Sequence, residues 1–342
     1  MPNLDRTKEI AIMQVLHESG STVSSAEIAS NLQARSYDIS PRTVRYYLRS
    51  MQEKSLVEEA ARGRKGGSRI LPRGVQELHA ARTVDRVGFM QAALDQWAYR
   101  MDFDPDTGRG QIVLNITLIK TSDFSSALPV IREVYATGLG MGNYLAIFPP
   151  GSSCGTSRIP SDHVGLGTIC SVTLNGILLS AGIPTISRFG GNLEIEQRTP
   201  VRFTELIAYE GTTLDPLEIF IKAGLTRVQD ATRHDTGYVG ASFREVPTAA
   251  TPRVQQLQDQ LEKIGLAGML FMGPANQSFL HIPITENRTG MVVIGGLNPA
   301  AAVEEAGIPT SNRALSTLYD FDRLIHFHDA EHACRRMELL SG

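Results

Sequence analysis

The chain has 342 residues, 42% hydrophobic and 20% charged, which is ordinary for soluble globular proteins and long enough for two or three domains. No N-terminal segment joins a basic start to an apolar run, and even the most apolar window, around 169–183, is interrupted by polar residues and glycine, so no signal peptide or membrane span is expected and the protein is placed in the cytoplasm. Three cysteines, Cys154, Cys170 and Cys334, are odd in number and lack CxxC spacing, which argues against a disulfide framework or a structural zinc site.

Charge is distributed unevenly. Residues 1–75 hold 12 Lys+Arg against 8 Asp+Glu, leaving 21 against 28 for the remainder, so the N-terminal part is the one suited to meet a polyanion. Its first helical pattern runs from Asp5 to Glu18 and stops at Gly20. Ser24-Ser25-Ala26-Glu27 reads as a capping box ahead of Ile28, Ala29 and Leu32. Ser40-Pro41 opens a third helix, serine as N-cap and proline pre-shaped for the first helical position.

On that third helix Val44, Leu48 and Met51 form a packing stripe, while Arg42, Arg45, Tyr46 and Arg49 share the opposite face, with Thr43 beside them. Leu56 to Glu59 and Ser68 to Leu71 can pair as strands around a basic turn carrying Arg62, Arg64 and Lys65. The order is that of a winged helix-turn-helix: a recognition helix for the major groove of double-stranded DNA and a wing along the phosphates. Arginine suits both tasks, since its planar fork bonds guanine edges and phosphate oxygens alike.

Residues 1–74 are therefore assigned to the DNA-binding domain and 75–88 to a connecting helix, leaving 89–335 for a regulatory and dimerisation domain. That body is internally duplicated, with halves at about 105–190 and 232–330 and an insertion at about 190–231. Gly165 to Arg188 and Gly290 to Arg313 align without gaps over 24 residues, 8 of them identical, including Ala-Gly-Ile-Pro-Thr and the closing arginine. Strands beginning at Gly110 and Gly237 match at an offset of 127. Each is followed by a proline-containing stretch and a helix, Leu128 to Tyr135 or Val254 to Ile264, closed by Gly-Leu. Each half then reads as strand–helix–strand–strand–helix, two copies being too few for a solenoid. The expected fold class is α+β or α/β: a winged helix followed by a two-lobed α/β domain with a pseudo-twofold.

The strings GLGTICSVTLNGILLSAGIPTISRFGGNLEIE (165–196) and RFTELIAYEGTTLDPLEIFI (202–221), with FRE (243–245) as a weaker echo, resemble the NrpR family of transcriptional repressors. The resemblance extends over the whole chain, because a winged helix before the regulatory domain is that family's order. It implies a homodimer or higher even oligomer on a palindromic operator, repression of nitrogen-assimilation genes, release by 2-oxoglutarate, no cofactor and a PII-type signalling protein as a further partner.

A small anion needs amide or guanidinium donors in a partly closed site. The residues assigned to it are Thr168, Cys170, Ser171, Arg188, Tyr209, Gly211 and Thr212. Glycines before a small-residue helix can equally serve close packing, and Arg188 and Arg313 can equally pair with carboxylates across a lobe interface. Two other readings stay open. Cys170 could be a nucleophile, with His163 upstream, although a cysteine in an apolar run is more often core. His326, His328 and His332 could hold a metal ion, making a metal-responsive regulator, but they lack HExxH spacing. A metabolite-acting enzyme on the same body would require a paired acid/base, nucleophile–base or cofactor fingerprint, and neither repeat contains one.

Overall fold

Helix caps organise the N-terminal unit. The structure is a computed structural model that describes residues 2–35, 37–59, 66–81, 89–155 and 157–339. The chain divides into two compact units, Met1–Val87 and Gly88–Gly342. In the first, α1 (Pro2–Ser19) buries Ile12, Met13 and Leu16. The capping box starts α2 (Ser25–Ala34): Ser24 Oγ accepts the Glu27 N–H at 3.3 Å and the Glu27 carboxylate accepts the Ser24 N–H at 2.9 Å. Ser40 Oγ accepts the Thr43 N–H at 3.2 Å, and α3 (Pro41–Glu53) begins on proline. β1 (Val57–Glu59) pairs antiparallel with β2 (Ser68–Ile70), and Val23 bridges to Ser68 on the other side of β2. The connector helix begins earlier than the sequence suggests: α4 (Pro72–Ala81) uses Pro72 as its first residue, packs on α1 and buries Leu78.

The second unit opens with α5 (Phe89–Arg100), then β3 (Gln111–Lys120) and α6 (Thr121–Ala136). α6 starts a full two turns before Leu128 and runs through Pro129, because its face of Phe124, Ala127, Leu128 and Ile131 is fully packed and outweighs the lost backbone hydrogen bond. β4 (Tyr144–Phe148), the short pair β5 (Ser153–Cys154) and β6 (Ser157–Arg158), β7 (His163–Ile169), α7 (Val172–Ser180) and β8 (Ile186–Glu196) complete the first repeat. Residues read as an insertion supply β9 (Thr199–Ala208), α8 (Pro216–Lys222) and α9 (Val228–His234). The second repeat is β10 (Gly237–Pro247), α10 (Thr251–Lys263), β11 (Met269–Met272), β12 (Arg288–Ile294), α11 (Asn298–Glu305) and β13 (Thr310–Asp320), followed by β14 (Ile325–His326) and α12 (Ala330–Arg336). Gly138 and Gly265, with φ of 74° and 73°, end α6 and α10 in the left-handed conformation as matching caps.

Each repeat has a sixth element that the sequence reading stops short of, a strand after the Ile-Pro-Thr turn, and the two repeats exchange it. One sheet has the order β13-β3-β7-β4-β14 and the other β11-β12-β10-β8-β9. The last strand of each repeat thus completes the sheet of the other, and every named pair is antiparallel. The registers obey the duplication: Ser187 faces Arg244 in one sheet as Asn312 faces Thr117 in the other. A fold completed by exchanged strands cannot separate into lobes without exposing two sheet edges.

Candidate nucleic-acid interface and effector site

On α3 the sequence stripe divides as helical periodicity requires. Val44, Tyr47, Leu48 and Met51 are buried, and Arg42, Arg45, Tyr46 and Arg49 are exposed. Tyr46 is 71% exposed, an unusual position for a large ring, and stands edge-on to Tyr47 with centroids 5.6 Å apart. Arg45 Nε donates to the Pro41 carbonyl at 3.3 Å. Among the described residues no side-chain partner engages Arg42 or Arg49. Thr43 is half-buried and shares a hydroxyl contact of 2.9 Å with Ser40, which makes it part of the cap. Arg62, Arg64 and Lys65 lie outside the described residues.

In the second unit the structure brings together only some of the expected effector residues. Cys170 and Ser171 sit at the start of α7, and Tyr209, in a 3-10 turn, is buried nearby; burial and the Asp215 carboxylate both raise its phenol. Thr168 shares a strand face with Val164 and Leu166, which pack with Phe124 and Ile131 of α6. That alternation turns it away from the neighbours of Gly167, and its buried hydroxyl has no partner among the described residues. Thr212 is turned inward by its own loop, its hydroxyl donating to the Leu214 carbonyl at 2.8 Å, while Gly211 is exposed. Arg188 forms an ion pair with Glu245, whose side chain is 0% exposed. Burial pushes the Cys170 thiol up to about 12, far from the thiolate a nucleophile needs.

The residue at the centre of this cluster is Arg244. It is 1% exposed. From β10 its Nη1 donates to the Ser171 carbonyl at 2.9 Å and to Asn175 Oδ1, and its Nη2 to Ser171 Oγ at 2.9 Å. A strand of one repeat is thereby tied to the first turn of a helix of the other. No carboxylate lies within ion-pair distance of it among the described residues, Nε has no partner, and burial lowers its pKa. The sequence signal was the FRE triplet, a cation and a carboxylate side by side inside a mostly apolar strand.

Beside the cluster lies a cavity of about 660 Å³ between α5, the turn 213–218 and β13. Trp97 and Arg100 line it from α5, Arg313 from β13, and Asp215 and Glu218 from the start of α8. Burial, reinforced by the charge of Glu218, pushes the Asp215 carboxyl up to about 7. Arg313 is exposed and its side chain makes no hydrogen bond or ion pair among the described residues, though its charge is felt by Glu218. At the C-terminal end the rings of His326 and His328 stack at 5.1 Å, and no group of three metal-binding side chains that includes His332 assembles among the described residues.

Residues 87–326 match the family described as NrpR regulatory domains NRD1 and 2. The chain belongs to the NrpR family. Residues 10–78 match the ribonuclease R winged-helix domain. The global nitrogen regulator NrpRI of Methanosarcina mazei is 33% identical over 94% of this chain and 98% of its own length. The global nitrogen regulator NrpR of Methanococcus maripaludis is 28% identical over 94% of this chain but only 55% of its own, so the chain spans about half of that relative. A crystal structure of a nitrogen repressor-like protein from Methanococcus jannaschii, 27% identical, superposes with a TM-score of 0.58 over 70% of this chain and 97% of that one. With a winged helix ahead of its regulatory domain, this NrpR-family chain is a transcriptional regulator, and no described helix is long and apolar enough to cross a membrane.

Proposed function

We propose that the chain is a cytoplasmic repressor of nitrogen-assimilation genes, bound as a dimer to a palindromic operator through α3 and released when its second unit takes up 2-oxoglutarate or a similar small anion. The observation that carries the DNA-binding part is the α3 face itself: Arg42, Arg45 and Arg49 in line with the exposed ring of Tyr46, on the helix that a winged helix offers to the major groove. The nitrogen link rests on the names of the relatives. A small anion releases DNA only if it prefers the state that binds DNA poorly, and by the same coupling DNA must weaken binding of the anion by an equal factor.

The test is a footprint of the full chain on its own promoter with and without 2-oxoglutarate, beside the variant Arg42→Gln/Arg45→Gln/Arg49→Gln. Protection that the triple variant loses and 2-oxoglutarate relieves is the expected result. Equal protection by the variant would refute the assignment of α3.

A further inference from the structure

The outer face of α3 carries a side chain that charge does not explain. Arg42, Tyr46, Arg49 and Glu53 stand in one exposed row at i, i+4, i+7 and i+11, opposite the buried Val44, Tyr47, Leu48 and Met51. Tyr46 is the only large apolar side chain of the first unit that is exposed among the described residues. It belongs neither to the core of that unit nor to the half-buried residues packed on it. Its ring is therefore surplus to the fold, and an aromatic surface left in water is recovered as binding energy only when something covers it.

The ring is held in place. It stands edge-on to buried Tyr47, with centroids 5.6 Å apart and planes at 76°. The rotation of α3 is fixed from α1, where the Glu9 carboxylate accepts Ser50 Oγ at 3.4 Å and Lys54 Nζ at 2.8 Å, one and two turns beyond Tyr46. Charge then decides which part of α3 enters a groove. Arg42 and Arg49 flank the ring by a turn on either side, with no side-chain partner among the described residues, while the carboxylate of Glu53, a turn further on, is repelled by phosphates. The first turns of α3 therefore lead, with the ring between two guanidiniums. Arg45 lies off this row, its Nε fastened to the Pro41 carbonyl at 3.3 Å, which suits it to a phosphate at the side of the groove.

The major groove offers hydrogen-bonding edges at every base pair but only one apolar feature, the C5 methyl of thymine. Resting on the reading of α3 as the helix that enters the groove, we propose that Tyr46 is a specificity-determining residue that selects thymine, its ring packing on that methyl between the contacts made by Arg42 and Arg49. The arginines supply guanine edges and phosphates with donors; the tyrosine supplies the discrimination that guanidiniums cannot, since a methyl group accepts nothing from them.

The test removes the methyl and nothing else. A duplex is selected from a random-sequence pool by the full chain, and each of its thymines is replaced singly by deoxyuridine, which keeps the base pair. Affinities are measured at fixed salt for wild type, Tyr46→Phe, Tyr46→Ala and Tyr46→Gln; the ring lies outside the core, so these variants keep the fold. At one fixed thymine, deoxyuridine weakens wild-type binding about 3- to 5-fold, the transfer value of a single methyl group. Tyr46→Phe keeps that penalty. Tyr46→Ala and Tyr46→Gln bind the thymine duplex more weakly than wild type and bind the thymine and deoxyuridine duplexes equally. A wild type indifferent to every replacement, or a penalty that persists in Tyr46→Ala and Tyr46→Gln, overturns the role of Tyr46 while sequence-selective binding leaves α3 as the reading helix. If the wild type selects no sequence from the pool, both readings fall.

Discussion

Asn298 grips the backbone of Gly240 at both ends, its Oδ1 accepting the Gly240 N–H at 2.8 Å and its Nδ2 donating to the Gly240 carbonyl at 3.0 Å. The equivalent residue of the first repeat, Thr173, does the same to Val113 with one hydroxyl, accepting the N–H at 3.2 Å and donating to the carbonyl at 3.3 Å. Both clamps are buried, and each pins the start of the second helix of a repeat, α11 or α7, to the first half of that repeat's first strand. Gly240 has to be glycine for this, since a Cβ there would stand 2.9 Å from Asn298 Oδ1. Identical geometry from different side chains shows that the duplication constrains contacts more strongly than residue identity.

Asn298→Ala takes the side-chain acceptor from the Gly240 N–H and the donor from the Leu139 carbonyl, which Nδ2 also reaches at 3.0 Å, while the Gly240 carbonyl keeps the Gly295 N–H at 2.8 Å. Its cost should be about 2–4 kcal/mol, against about 1–3 kcal/mol for Thr173→Val. Urea unfolding of the full chain, followed by the fluorescence of Trp97 in the second unit, measures both. A smaller loss for Asn298→Ala than for Thr173→Val would contradict this account of the clamp.

Arg244→Met removes a buried cation that has no carboxylate to leave behind, but it leaves Asn175 Oδ1 without its donor and the Ser171 carbonyl with the Leu174 N–H in place of two donors. A loss of about 1–3 kcal/mol follows, and Arg244→Lys should recover little of it, because one ammonium cannot reproduce a fork aimed at a carbonyl, an amide and a hydroxyl. Wild-type stability for the lysine variant would mean that charge, rather than fork geometry, holds α7.

The buried Asp215 carboxyl titrates near 7 in the folded chain, well above its ordinary value of about 4. The native state therefore holds a proton that the unfolded chain has already lost. The associated stability is fully present below about pH 4 and declines as pH rises through about 7. Asp215→Asn retains an acceptor for the Leu217 and Glu218 amides and loses the titration. Between pH 4 and 8 the wild type should lose on the order of 1–3 kcal/mol relative to this variant, read from paired urea midpoints; a flat difference would place the Asp215 titration in its ordinary range.

Each of Arg42, Arg45 and Arg49 that rests on a phosphate contributes about 0.9 to the slope of log affinity against log salt. The triple glutamine variant should therefore flatten that slope by about 1 to 3, as well as weaken binding, in anisotropy titrations over a range of salt. An unchanged slope would move those arginines off the DNA backbone.

How much of this could be read beforehand follows the range of the interactions. Ser24 with Glu27 and Ser40 with Thr43 are contacts three residues apart, so the starts of α2 and α3 were legible, as was the arginine face that helical periodicity opposes to Val44, Leu48 and Met51. The duplication was legible because the 24-residue motif survives almost intact. The exchanged strands were not: β8 pairs with β10, some fifty positions later, and nothing local in Ile186 to Glu196 says which sheet it joins. Thr168 belongs in sequence to a run of open backbone amides with Cys170 and Ser171, and Arg188 closes the duplicated motif as a guanidinium suited to an anion, but strand alternation turns Thr168 to the α6 side and the bulge at Arg188 delivers it to Glu245.

By itself, the amino-acid sequence determined the winged helix, its cationic face and a body made twice, since these are written in spacings of a few residues or in outright repetition. Only the tertiary structure decided that Arg244 is buried where the two repeats meet, that Glu245 neutralises Arg188 and that Arg313 is left open to a cavity. Those outcomes depend on which distant strands lie side by side, and a carboxylate can silence an arginine only where register brings the two together.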